Sequence, residues 1–210
     1  MIMKKAYFIT LEGIEGAGKS TAARFLAEYL RKANIDFILT REPGGTEIAE
    51  KIRRIILDHY QETMHPDTEM LLYFAGRAQH LNQVIIPALK RGQWVICDRF
   101  TDATYAYQGG GRGLSQEKIS ILEQWVQGDL RPDHTLLFDV AVTTGLSRIK
   151  KNRYLDRIEK EEEFFFEKVR NCYLERASKE SNRFHILDAN KNPQEVSQQV
   201  ENILNKIINN

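Results

Sequence analysis

The stretch Gly13-Ile14-Glu15-Gly16-Ala17-Gly18-Lys19-Ser20-Thr21 constrains the fold more than any other part of the chain. It fits the pattern G-x-x-x-x-G-K-[ST], a phosphate-binding loop that works where a strand hands over to a helix. Glycines let successive backbone N–H groups turn inward around phosphate oxygens, and the helix that follows contributes the positive end of its dipole. The flanks supply that setting. Tyr7-Phe8-Ile9-Thr10-Leu11 is an apolar run of strand type, and Ala22, Phe25, Leu26, Tyr29 and Leu30 share one face of a helix. The stretch therefore reads as a nucleoside-triphosphate site formed by residues 13–21, with Lys19 as its mobile positive charge and the Ser20 hydroxyl as a Mg²⁺ ligand.

Beyond the cradle, apolar runs and amphipathic patterns alternate along the chain. Phe37-Ile38-Leu39-Thr40 predicts a second strand ending in Arg41-Glu42-Pro43-Gly44-Gly45-Thr46, a rigid turn at the strand edge where parallel sheets bind ligands. Ile48, Ile52, Ile55 and Ile56 predict an amphipathic helix. Pro66 suits the first turn of a long helix running to Leu89, with Pro87 as a kink or restart. On it Arg77 follows Phe74 by one helical turn, so the two share a face suited to stacking on a base and bonding its edge.

Trp94-Val95-Ile96-Cys97 is the unbroken apolar run of a strand buried on both faces, and it ends in Asp98-Arg99. A carboxylate at that tip is placed to hold Mg²⁺, and Arg99 to hold a phosphate. Four glycines within Gly109-Gly110-Gly111-Arg112-Gly113 predict a close-fitting loop, because glycine suits neither helix nor strand interiors. Ile119, Leu122 and Val126 mark a further helix. Thr135-Leu136-Leu137-Phe138-Asp139 and Phe184-His185-Ile186-Leu187-Asp188 are two more strands. Arg148, Lys150, Lys151, Arg153 and Arg157 place five basic residues in ten, fitting a segment that closes over phosphates. Phe165, Val169, Cys172 and Tyr173 face the core. Asn192, Pro193 and Glu195 open the last helix with a capping box. Strands alternating with helices over the whole length predict one domain, 1–210, built on a parallel sheet.

Bulk properties narrow the partners. Two hundred and ten residues bury a sizeable core unaided, and a net charge of +1 gives no ground for a nucleic-acid polymer or a membrane surface as partner. No run of about 20 apolar residues predicts a membrane span. Cys97 and Cys172 read as buried reduced thiols, which with the lack of an export segment points to the cytoplasm. Asn190-Lys191-Asn192-Pro193 is not the guanine-reading motif of switch GTPases.

Taken together, these motifs resemble the bacterial thymidylate kinases over nearly the full chain. The resemblance is carried by the P-loop with Glu15 inside it, the Arg41 to Thr46 turn, the Phe74 to Arg77 segment, Asp98-Arg99, Ala106-Tyr107-Gln108-Gly109-Gly110-Gly111-Arg112-Gly113 and Leu155-Asp156-Arg157-Ile158-Glu159. It implies an α/β, three-layer P-loop kinase fold: a five-stranded parallel sheet, helices on both faces and a short lid at about 146–160. It also implies transfer of the γ-phosphate of ATP to dTMP with Mg²⁺, in a homodimer. The catalytic residues it implies are Glu15, Lys19, Arg99 and Arg153. For dTMP it implies Glu15, Arg41, Tyr73, Arg77, Arg99, Thr104, Tyr107 and Gln108, and for the metal Ser20 and Asp98. Gly16 follows Glu15 where some relatives carry a catalytic arginine, which implies that the lid supplies the charge. Ala103 stands where many relatives have serine, with Thr104 as the substitute. The competing readings are a P-loop kinase for another nucleotide or a deoxynucleoside, and an ATP-gated binding module.

Overall fold

In the computed structural model, which describes residues 6–149 and 155–209, the elements run β1 (Phe8–Glu12), α1 (Lys19–Lys32), β2 (Phe37–Arg41), α2 (Glu47–Leu57), α3 (Pro66–His80), α4 (Ile86–Lys90), β3 (Trp94–Asp98), α5 (Thr101–Thr104), α6 (Gln116–Gln127), β4 (His134–Asp139), α7 (Val142–Ile149), α8 (Glu163–Lys179), β5 (Phe184–Asp188) and α9 (Pro193–Asn209). All strand pairs are parallel, in the order β2-β3-β1-β4-β5. The five strands fall where the apolar runs predict them.

Alternation along the central strands creates two cores. Ile9, Leu11 and Ile96 pack with Leu26 of α1, Val169 of α8 and Val200 of α9, whereas Phe8, Val95 and Cys97 point the other way, onto Leu81, Ile85 and Ala88. Side chains of a strand alternate between faces, so a strand apolar at every position must be covered twice. Helices accordingly lie on both sides of the sheet. Both cysteines are buried and free.

One local expectation changes and two gain detail. The long helix restarts at Pro87 as expected: between α3 and α4, residues Leu81–Ile85 form a wide π-helical turn, and Pro87 sits in the first turn of α4. Proline has no N–H to give and crowds the preceding carbonyl, so the ladder widens before it. The glycine-rich stretch is also a π-helical turn, Tyr105–Gly111, rather than a loop. A Cβ at Gly110 would lie 2.7 Å from Cys172 Cβ, and one at Gly111 2.4 Å from the Phe165 ring, so these glycines serve close approach to α8. Finally, α2 buries Ala49 and Ile56, leaving Ile48 and Ile55 about half exposed.

The last helix opens as expected: Glu195 N–H donates to Asn192 Oδ1, and Asn192 N–H to Glu195 Oε2.

Candidate active site

β1 pairs with β3 so that Leu11 lies opposite Asp98, which puts the start of the P-loop beside the tip of β3. The sheet thus brings together two motifs eighty residues apart in sequence. Between them opens a cavity of about 790 Å³. Glu15 to Thr21 of the P-loop line one end. Arg41, Arg53, Tyr73, Arg77, Thr104, Tyr107 and Gln108 line the rest, with Asp98 and Arg99 at the strand tip and Arg148, Asp156 and Glu159 on the lid side.

The P-loop turns on Gly13, Gly16 and Gly18, all at positive φ (134°, 70° and 90°). Its backbone is clamped from above by α7. A Cβ built at Gly16 would lie 2.1 Å from the Gly145 carbonyl oxygen, and one at Gly145 2.6 Å from the Glu15 carbonyl oxygen. Lys19 is buried and folds back, donating to the carbonyls of Gly13 (2.8 Å) and Ile14 (2.9 Å). Burial, and then the nearby Arg99 charge, bring its ammonium down to about 8. Ser20 and Thr21 are exposed at the start of α1.

Arg99 and Glu15 join the two sides. Arg99 Nη2 donates to Glu15 Oε1 at 2.7 Å, Nη1 donates to the Gly13 carbonyl at 2.9 Å, and the guanidinium stacks 4.8 Å from the Tyr107 ring centroid. Tyr107 Oη donates to the other Glu15 oxygen at 2.5 Å. The Arg99 backbone is held at φ 67°, a conformation rare for a residue with a side chain. Phe100 N–H donates to Glu12 Oε1 and Tyr173 Oη to Glu12 Oε2, so the buried Glu12 carboxyl braces the backbone just after Arg99. Burial and the neighbouring Asp102 charge push that carboxyl far up, to about 8.

On the acceptor side, Arg77 is 1% exposed and lies between the Phe74 and Phe100 rings, 4.9 Å from each centroid. Nε donates to Glu42 Oε2 at 2.7 Å and Nη2 to Thr104 Oγ1 at 3.0 Å. His80 Nδ1 meets the second Glu42 oxygen at 3.0 Å. The aromatic partners of Arg77 are thus Phe74 and Phe100, both core, while Tyr73 lines the cavity. Buried Arg77 Nη1 has no hydrogen-bond partner. Thr104, expected as a substrate contact, holds Arg77. Arg41 is half exposed and paired with Glu50 of α2.

A second buried atom without a partner is Asp98 Oδ1. A buried carboxylate oxygen left unmatched at a strand tip, with the Ser20 hydroxyl across the cavity, fits a hard cation that takes one or two protein oxygens and completes its shell with phosphate and water. Among the described residues no group of three or more His, Cys, Asp or Glu gathers into a cage that would hold a metal by itself.

The lid-side cations divide. Arg148, on α7, lines the cavity and donates to the Gly16 carbonyl at 3.2 Å. Arg157 turns away, donating to the Ile56 carbonyl and to Glu69 Oε2. Lys150, Lys151 and Arg153 lie outside the described residues. After them, the Asp156 side chain accepts from the Ile158 and Glu159 N–H groups, which folds the returning segment into a tight turn.

Sequence reasoning missed Arg53, Glu69 and Glu12 as parts of the site, and read Glu42 only as a member of its turn. Arg53 had a weak signal, since it falls four residues after the small Ala49 on the inward face of α2. Glu69 and Glu12 had none, because each is defined by partners from other elements.

The chain resembles proteins of known activity along most of its length. The family model described as thymidylate kinase matches residues 11–200. The thymidylate kinase of Pseudomonas putida is 57% identical over 201 residues, covering 96% of each chain. That of Ectopseudomonas mendocina is 56% identical over 201 residues with the same coverage. The crystal structure of thymidylate kinase from Ehrlichia chaffeensis superposes with a TM-score of 0.76 at 34% identity, covering 96% of this chain and 99% of that one.

Proposed function

This chain belongs to the thymidylate kinase family and phosphorylates dTMP to dTDP; from that premise we propose how its residues share the reaction. The observation that carries the reading is that one cavity holds both a P-loop and a separate cluster of arginines and aromatics. A nucleotide switch needs only the first. A kinase must bring two anionic phosphates into line, and it does so by positioning and by charge, with no covalent intermediate on the enzyme.

ATP is the donor. The backbone of residues 13–18 cradles its phosphates, with Ser20 and Thr21 at the helix start. Lys19 leaves the carbonyls of Gly13 and Ile14 to meet phosphate oxygens, a short move that exchanges two dipoles for a full negative charge. Ser20 and Asp98 would hold Mg²⁺, which when bound would offset charge on the transferring phosphoryl group. Arg99 grips the dTMP phosphate with Arg41 behind it, and Glu15, fixed by Arg99 and Tyr107, faces the sugar. Tyr73 stacks on the base, while Arg77 and Gln108 bond its edge. Residues 146–160 act as the lid of a single domain. Arg148 brings one positive charge toward the phosphates from α7, and Arg153 is the lid residue assigned to catalysis.

No described helix is long and apolar enough to cross a membrane. The enzyme works in the cytoplasm, on small nucleotides. It forms a homodimer through α2, α3 and α6, which pack side by side and expose Ile48, Ile55, Leu71, Ile121 and, 81% exposed, Trp125.

The test is ADP release with ATP, Mg²⁺ and a panel of nucleoside monophosphates, with thymidine as control. Fast turnover with dTMP, weak turnover with dUMP and next to none with dCMP or dGMP is the expected pattern. Comparable turnover of dGMP would remove the base-reading assignments and leave only the P-loop.

A further inference from the structure

Glu69, on α3, has a side chain 1% exposed, yet phosphate transfer has no need of a carboxylate there. A buried carboxylate is costly unless hydrogen bonds surround it. Here they do. Oε1 accepts from Gln108 Nε2 at 2.8 Å and from Arg112 Nε at 3.2 Å. Oε2 accepts from Arg157 Nη2 at 2.5 Å and from Arg112 Nη2 at 3.3 Å. Burial alone would raise this carboxyl, but Arg112, the Gln108 bond and Arg157 together hold it below the usual range.

An ionised carboxylate only accepts hydrogen bonds, so it decides which end of a neighbouring amide it meets. The NH₂ of Gln108 must face Glu69, and the carbonyl Oε1 is the end left for a ligand. Gln108 lines the cavity, and so does Arg77 with its unpartnered Nη1. The acceptor side therefore offers one fixed acceptor and one fixed donor. Thymine presents the complement, an O4 acceptor beside an N3–H donor. Cytosine reverses both, with an N4 amino donor beside a bare N3.

We infer that Glu69 is a positioning residue for base choice: by pinning the Gln108 amide it gives the pocket its thymine polarity, and by taking Arg157 it ties the returning lid segment to the same carboxylate. The inference rests on the reading that dTMP is the acceptor. It goes beyond that reading by assigning the base preference to a residue that does not line the cavity. The lid connection is firm, since Arg157 also donates from Nε to the Ile56 carbonyl and from its backbone to the Leu57 carbonyl.

The experiment compares kcat/KM for dTMP and dCMP in the wild-type chain, Glu69→Gln, Gln108→Ala, the double variant and Arg157→Met. A glutamine at 69 both donates and accepts, so it frees the Gln108 amide to take either orientation. The dTMP-to-dCMP ratio should fall at least about tenfold in Glu69→Gln, since a site built on buried hydrogen bonds otherwise rejects a mismatched edge by about 10⁴ or more. In a Gln108→Ala background the same substitution should cost no further discrimination. Arg157→Met should lower kcat and leave the ratio unchanged. Equal slowing of both substrates in Glu69→Gln, or the same loss of ratio with Gln108 already removed, would overturn the inference.

A measurement on the unaltered protein covers a variant that fails to fold. In ¹⁵N-labelled wild-type chain without nucleotide, the Gln108 side-chain amide protons should be protected from exchange with water. Exchange as fast as that of an exposed glutamine overturns the inference. A wild-type chain that phosphorylates dCMP as fast as dTMP would remove the underlying reading before any variant is made.

Discussion

The two ends of the cavity are built on different plans. The end proposed for the donor is one continuous stretch, Gly13 to Thr21, that offers mostly backbone N–H groups; its conformation depends on glycines and on the α7 backbone pressed against it. The acceptor end is assembled from side chains on β2, α2, α3, β3, α5 and the turn Tyr105–Gly111, and two buried carboxylates, Glu42 and Glu69, hold them in place. A backbone cradle binds phosphate of any nucleotide and tolerates change in its side chains, Lys19 excepted. A side-chain pocket reads one base but spreads the effect of any single substitution. The proposed roles put the general chemistry on the first plan and the selectivity on the second.

Three substitutions probe that contrast. Lys19→Ala should lower kcat by about 10²–10³-fold, the typical loss for one preorganised positive group at a reacting centre. It should leave the dTMP KM and the thermal midpoint nearly unchanged, because the hydrogen bonds Lys19 donates go to the carbonyls of Gly13 and Ile14 in its own loop. Steady-state kinetics and a melting curve check both statements, and a large rise in dTMP KM would mean that the two ends are not separable.

Arg77→Ala should act in the opposite sense. Its partner Glu42 would be left charged in a site where both side chains are 4% exposed or less, so unfolding should ease by about 3–5 kcal/mol. The dTMP KM should rise by about tenfold or more while the ATP KM stays put. Urea unfolding and KM values for both substrates are the measurements.

Glu12→Gln acts on stability rather than on turnover and sharpens the comparison at the root of the P-loop. The Glu12 carboxyl is raised from 4.5 to about 8 in the folded chain, so between those values the native state holds a proton that the unfolded state has released. Stability attributable to this group therefore falls as pH rises through that window. A neutral amide escapes the penalty, so the stability of Glu12→Gln relative to wild type should grow from pH 4.5 to pH 8, as read by melting curves across that range. A difference that stays flat would show that the carboxyl titrates normally.

The same contrast explains what could be read before the structure was seen. Five strands, the P-loop and the tip of β3 are legible because each is a contiguous signal: an apolar run, a spacing of glycines, an acid after a buried strand. On the other side of the cavity, Arg77, Arg99 and the Arg41 to Thr46 turn carry local signals, whereas Tyr73, Thr104, Tyr107 and Gln108 are legible only through the family resemblance. Glu69 offers no local cue, since it is an ordinary acid in the first turn of α3 until Gln108, Arg112 and Arg157 arrive from elsewhere. One misreading has the same origin. Glycine's poor standing in helices is a local rule, and at Gly110 and Gly111 it gives way to the approach of α8. The isoleucine stripe marks α2 as a helix, but which of its members face inward is settled by the packing, and Ile48 and Ile55 stay outside.

The contact between Gly16 and Gly145 bears on how such an enzyme can change over time. With the Gly145 carbonyl oxygen 2.1 Å from where a Cβ at position 16 would sit, no side chain can be placed there by a single substitution without moving α7. The chain would first have to give up the close seat of α7, and with it the stem that carries Arg148 into the cavity. Neither half-step is useful alone. A positive side chain inside the cradle is barred here by sterics rather than by chemistry, and a designer wishing to place one must remodel α7 and position 16 in the same step.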